Sequence, residues 1–236
     1  FAIESSSDMA VEKETYESYT GSLWSKGTFP IDTWKEVMKL RGNSDEVNLR
    51  KNWDKLKKKV AKQGMRNSNT MAIAPTATIS YIAGCSQSIE PNFGVIFVYS
   101  TLSGEFTMMN EYFVNDMKAE GIWTKELANM VKTVDGDLSK LNGSIPQWIK
   151  EKYVTAFQQD QFKLIDCAAA RQKWIDQGQS LNLYNDKSSM KFLNDIYTHA
   201  WKSGLKTTYY LRNLAASAIE KSTGSNVEEH NADNID

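Results

Sequence analysis

Ser180-Leu-Asn-Leu-Tyr-Asn-Asp-Lys-Ser-Ser-Met-Lys-Phe-Leu-Asn-Asp-Ile-Tyr-Thr-His-Ala-Trp-Lys-Ser-Gly-Leu-Lys-Thr-Thr-Tyr-Tyr-Leu211 decides the fold class. Ser180 to Tyr184 is short and apolar enough to be a strand. Leu193, Ile196, Tyr197, Ala200 and Trp201 then recur at the i, i+3, i+4, i+7, i+8 spacing of a helix with one apolar face. Gly204 is a C-cap, and Leu205 to Leu211 is again extended. Strand, helix and strand in this order make a βαβ unit, which predicts an α/β architecture over a helical bundle.

Upstream, Asn69 to Ala74 reads as a buried strand cut off by Pro75. The segments Phe93–Ser100 and Glu105–Met109 read as further strands. Helices are predicted over 2–20, from Pro30 to Leu40, over 49–63 with Gly64 as its C-cap, and over 111–120. Others follow around 124–134, from Pro146 to Phe157, and over 160–177. The lysines at 57–59 are either a solvated helix face or a basic patch. After Arg212 the periodicity ends, so residues 1–213 form the folded part and 214–236 a flexible polar tail.

Composition excludes several classes. A net charge of −1 gives no footprint for nucleic acid or membrane. The chain holds no apolar run of about 18 residues, and no basic-then-apolar leader opens it. Two cysteines, Cys85 and Cys167, and two histidines are too few for a zinc site at sensible spacing. They leave a structural disulfide possible but favour a reducing, cytoplasmic setting. The chain begins at Phe1 rather than Met, which points to a fragment or processed product.

Chemistry is expected in the loop after the strand ending at Ala74. Pro75-Thr-Ala-Thr-Ile-Ser80 offers hydroxyls at Thr76, Thr78 and Ser80, and small residues let phosphate oxygens approach the backbone. Taken alone, such a loop is either an anion site or an ordinary turn or N-cap. Glu90 is an acid/base group or a structural hydrogen-bond acceptor. Cys85 is a reactive thiol or a buried small residue, with no nearby basic residue to lower its pKa. Cys167, beside three alanines, reads as packing. Tyr209 and Tyr210 are adjacent on a strand, so one ring is expected in the core and one at the rim. Stacking the two would require the backbone to leave regular strand geometry there.

Six motifs in one order carry a resemblance. They are Arg66-Asn-Ser68, Pro75-Thr-Ala-Thr-Ile-Ser80, Ser88-Ile-Glu-Pro91, Leu102-Ser-Gly-Glu-Phe106, Asp176-Gln-Gly-Gln-Ser-Leu-Asn182 and Gly204-Leu-Lys-Thr-Thr-Tyr-Tyr-Leu-Arg212. Ala2-Ile-Glu-Ser5 and the stretch Tyr16–Gly27 extend the match towards Phe1. Together they resemble the C-terminal part of the large, catalytic subunit of class I ribonucleotide reductase. The resemblance implies the later strands of a ten-stranded α/β barrel. It implies that Thr76, Ala77, Thr78, Ile79 and Ser80 hold the diphosphate of a ribonucleoside diphosphate. It implies that Tyr209 and Tyr210 relay an oxidising equivalent from the small, radical-generating subunit.

The same resemblance implies that this chain binds no cofactor, that the metal belongs to the small subunit, and that a thioredoxin- or glutaredoxin-type protein is the reductant. The family's thiyl-radical cysteine and its pair of reducing cysteines have no counterpart here, and their roles do not pass to Cys85 or Cys167. The chain is therefore expected to be inactive alone and to need the N-terminal portion of the same subunit. A non-catalytic interaction module that keeps the barrel fold is the alternative. The relay reading carries a geometric expectation: loop and tyrosine pair at one end of the sheet, with the two rings stacked.

Overall fold

The computed structural model describes residues 1–43, 53–101, 104–186 and 189–213. The polar tail expected over 214–236, residues 49–52 of the third expected helix, and Leu102-Ser103 of one motif lie outside these. The chain divides into two compact units. The first comprises Phe1–Ile79, Gln161–Leu181 and Met190–Tyr209, and the second Ser80–Asp160, Asn182–Ser189 and Tyr210–Asp236.

In the first unit, α1 (Ala2–Lys13) stops well short of residue 20, because Glu14 takes a positive φ of 63° and the chain enters turns. The next helix, α2 (Pro30–Leu40), starts at Pro30, with the Asp32 carboxylate accepting from Phe29 N at 2.9 Å. It is followed by α3 (Asp54–Gln63), closed by Gly64 at φ 79°. Phe29, Val60 and Met65 are fully buried in an aromatic core that also holds Trp24 and Ile31. Each such side chain contributes about 1.5–3 kcal/mol. The lysine run is neither a basic patch nor a uniformly solvated face. Lys57 pairs with Asp32 of α2 at 2.5 Å, and Lys59 pairs with Glu4 and Asp8 of α1 at 3.2 and 2.8 Å.

Two further helices complete this unit. The first, α8 (Gln161–Gln172), is shorter than the expected 160–177, since the chain turns through Trp174 before Asp176. The second, α9 (Met190–Lys202), buries only Ile196 and Ala200 of its expected five-residue face, and Tyr197 and Trp201 stay exposed. Trp201 instead lies beneath the Arg41 guanidinium, 5.0 Å from the ring centre. Gly204 follows at φ 88°, where a Cβ would meet Met38 Sδ at 2.7 Å and Trp34 Nε1 at 2.9 Å.

The strand expected at 69–74 is reduced to one parallel bridge, Ile73 to Gln179. It is nevertheless held along its length by residues 176–180. Gln177 N donates to Met71 O at 3.2 Å and Ser180 N to Ile73 O at 2.9 Å. The Asp176 carboxylate accepts from Thr70 N at 2.6 Å, Thr70 Oγ1 at 3.2 Å and Met71 N at 2.8 Å. Polar side-chain bonds replace part of the ladder, which is why the apolar run reads as a strand but pairs so briefly.

The helix α4 (Ile79–Ala83) begins at the last residue of the first unit, and the second unit contains the antiparallel pair β1 (Ile96–Thr101) and β2 (Gly104–Met109), α5 (Glu111–Ala119), α6 (Lys125–Thr133) and α7 (Gln147–Lys152). Asn110 and Thr124 cap α5 and α6 by accepting from Phe113 N and Leu127 N, both at 3.1 Å. The unit's core gathers Val95, Ile96, Phe113, Met117, Val131 and Ile149. The expected helix from Pro146 to Phe157 ends at Lys152, where Tyr153 commits its hydroxyl to Asp116 at 2.6 Å. The parallel pair β3 (Leu183–Asn185) and β4 (Leu211–Asn213) is the expected βαβ pair. Both strands start later than expected, at 183 rather than 180 and at 211 rather than 205.

Candidate functional site

The loop Pro75–Ser80 leaves the bridged segment two residues after Ile73. Thr76 takes φ 50°, a left-handed conformation that a β-branched residue adopts only under constraint. A turn through Ala77 and Thr78 follows, and α4 begins at Ile79. Ala77, Thr78 and Ile79 are exposed, Thr76 is half-buried and Ser80 is buried. A left-handed residue, a turn and a helix start thus follow one another within five residues.

Tyr209 and Tyr210 depart from the core-and-rim expectation. Their side chains are 43% and 53% exposed. The cause lies in the backbone. Tyr209 N donates to Leu181 O at 2.7 Å, and Tyr210 N donates to Asn182 Oδ1 at 3.2 Å. Successive N–H groups on a regular strand point to opposite edges, yet these two reach consecutive residues of one neighbouring segment. The chain is therefore irregular at the pair, in the manner of a bulge, and enters regular β4 only at Leu211.

Beside Tyr210 lies a polar cluster within the second unit. Glu90 is a structural acceptor: its carboxylate takes Asn182 N at 2.7 Å, Asn182 Nδ2 at 2.9 Å and Tyr184 Oη at 2.9 Å. Tyr184 is buried, and burial, then the Glu90 charge, push its phenol well above the usual tyrosine range. The Arg212 guanidinium stands 5.5 Å from the Tyr210 ring centre and 6.0 Å from that of Phe93. Glu90, Tyr184 and Arg212 line a cavity of about 250 Å³ together with Cys85 and Phe93.

Comparison with known proteins decides the family. Residues 1–211 match the family described as ribonucleotide reductase, barrel domain. The chain belongs to that family. Its α/β fold is thus a portion of the ribonucleotide reductase barrel. It is 45% identical over 225 residues to the ribonucleoside-diphosphate reductase subunit alpha of Chlamydia muridarum, covering 94% of this chain and 21% of that protein. It is 38% identical to the large subunit of Trypanosoma brucei brucei, covering 93% of this chain and 27% of that protein. Among solved structures, the Actinobacillus ureae class Id ribonucleotide reductase alpha subunit superposes with a TM-score of 0.57 at 25% identity. That match covers 84% of this chain and 38% of that one. The chain thus spans about a fifth to a quarter of the length of these curated reductase subunits.

Within this member of the reductase family, Cys85 and Cys167 are both free and both exposed, so Cys167 is not the packing residue expected and Cys85 is not a buried small residue. Cys167 turns away from the face of α8 that buries Ile165 and Ala168. Among the described residues, no cluster of three or more His, Cys, Asp or Glu side chains could hold a metal ion, and no helix is long and apolar enough to cross a membrane. The Glu90–Asn182–Tyr184–Arg212 cluster went unread as a cluster, although Glu90, Asn182 and Arg212 all lie in motifs quoted above. Its only sequence signal was a glutamate fixed before Pro91.

Proposed function

We propose that this chain supplies two parts of a ribonucleoside-diphosphate reductase: the loop that holds the substrate diphosphate and the tyrosine pair that relays the radical. Thr76, Ala77, Thr78, Ile79 and Ser80 would bind the phosphates, through backbone N–H groups and the threonine hydroxyls. Tyr209 and Tyr210 would pass an oxidising equivalent between the small subunit and the site of nucleotide reduction. The metal that generates this equivalent would reside on the small subunit, and a dithiol protein would restore the reduced state.

One observation carries the relay reading. The backbone leaves strand geometry at Tyr209–Tyr210, and both rings are exposed rather than divided between core and rim. Two adjacent rings that must exchange an electron need that departure. The loop reading is supported by the left-handed Thr76 and the helix opening at Ile79. It is also supported by placement: the segment ending at the loop and the segment bearing Tyr209 flank the same residues, 179–181.

The test is Tyr210→Phe in the assembled reductase, holding chain, partner subunit and reductant constant. Loss of the O–H abolishes nucleotide reduction while preserving ring packing and substrate binding. Undiminished turnover would refute the relay and favour a module that keeps the fold without the chemistry.

A further inference from the structure

We infer that Glu90 is a positioning residue for Tyr210, acting through Asn182; this rests on the relay reading of Tyr210. The reasoning starts from backbone donors. Ser180 N donates to Ile73 O at 2.9 Å, an ordinary parallel rung. Two residues on, the equivalent donor, Asn182 N, goes instead to Glu90 Oε1 at 2.7 Å. A carboxylate there takes the place of a strand carbonyl.

The same carboxylate orients the Asn182 side chain. Glu90 Oε2 accepts from Asn182 Nδ2 at 2.9 Å, which fixes the amide so that Oδ1 faces Tyr210. Oδ1 then accepts Tyr210 N–H at 3.2 Å. That N–H is the one the irregular backbone turns out of regular order, so it needs an acceptor that no strand carbonyl supplies. Tyr184 Oη donates to Glu90 Oε2 at 2.9 Å and holds the carboxylate in place. The chain Tyr184–Glu90–Asn182–Tyr210 therefore sets the backbone dihedrals from which the Tyr210 side chain projects. Arg212, over the ring at 5.5 Å, defines where that ring lies. A relay step depends steeply on ring placement, and a misplacement of about 1 Å costs on the order of 100-fold in an oriented reaction.

The experiment uses the assembled reductase with Glu90→Ala and Glu90→Gln. Glu90→Ala lowers kcat by about tenfold or more, with KM for the nucleoside diphosphate unchanged within about twofold. Glu90→Gln keeps one acceptor oxygen and falls between wild type and Glu90→Ala. A second measurement is spectroscopic. With an aminotyrosine at position 210 as a radical trap, electron paramagnetic resonance reads the β-proton couplings, which report the ring's dihedral angle. Glu90→Ala shifts or broadens these couplings. Unchanged couplings, unchanged kcat, or a kcat loss matched by an equal loss of substrate affinity each overturn the inference. The underlying reading fails separately. An active Tyr210→Phe enzyme sinks the relay itself, whereas an inactive Tyr210→Phe with a wild-type Glu90→Ala sinks only the positioning role.

Discussion

Replacing Asp176 by alanine should loosen the segment that leads into the proposed phosphate loop. Its carboxylate accepts two backbone N–H groups and one hydroxyl, from Thr70 and Met71, at 2.6 to 3.2 Å. Hydrogen bonds to a charged acceptor are worth about 1.5–3 kcal/mol each. Asp176, Thr70 and Met71 are only half-buried, so water recovers much of that when the carboxylate goes. A net loss of about 3 kcal/mol follows, which is about a hundredfold in a local opening equilibrium. Amide hydrogen exchange reads it directly: the Thr70 and Met71 amides should exchange about a hundredfold faster in Asp176→Ala. The Phe113 and Met117 amides in α5 should keep their rate. Asp176→Asn keeps one acceptor oxygen for Thr70 while its N–H₂ faces the Met71 donor, so it should fall between wild type and Asp176→Ala. Exchange at 70–71 within about twofold of wild type would refute the reasoning, and so would equal acceleration in α5.

Gly204→Ala combines a left-handed backbone with steric contact, against Met38 Sδ at 2.7 Å. It should cost about 2–4 kcal/mol by urea unfolding followed through tryptophan fluorescence. Gly121→Ala, also at positive φ but with nothing within 4 Å, should cost only the backbone share, and equal losses would remove the packing contribution. The raised phenol of Tyr184 predicts alkaline sensitivity. Below about pH 10 both folded and unfolded phenols are protonated and its stabilisation is complete. As pH rises past that value the unfolded chain releases a proton that the folded phenol retains, so stability falls. Tyr184→Phe should flatten that fall above about pH 10, and a variant that loses stability equally there would count against it.

The sequence made the α/β class legible through one helix and its flanks, because a crossover between parallel strands leaves an apolar stripe flanked by extended segments. Element ends were less legible where polar side chains took over from backbone. The 69–74 strand lost its ladder to the Asp176 carboxylate, and helix α8 stopped short because Gln172 is buried and donates to Gln177 O at 2.9 Å. For the tyrosines, strand periodicity placed one ring inside. What defeats that rule is the Asn182 side chain, 28 residues away in sequence, which no local propensity encodes. Cys85 and Cys167 illustrate the reverse limit, since a small residue among alanines or in a polar loop carries no sign of which way it faces. Glu90 could be narrowed to an acceptor or an acid/base group, but its partners 92 and 94 residues downstream were invisible.

One feature of the parallel pairing reaches beyond this site. Thr207 Oγ1 accepts from Gln179 N at 3.0 Å and donates to Gln179 O at 2.7 Å. Asn182 Oδ1 accepts from Tyr210 N, and Asn185 Nδ2 donates to Asn213 Oδ1 at 2.8 Å. All three rungs join residues 28 apart. A slip of two residues would keep every apolar side chain on its own face, so hydrophobic pattern alone leaves that error unpunished. It would, however, set Asn185 against Leu211 and strip Gln179 of its hydroxyl partner. The alignment of this strand pair is thus written in polar chemistry, as a key is cut for one lock, and substitutions at 182, 185, 207 and 213 should be tolerated only in combination.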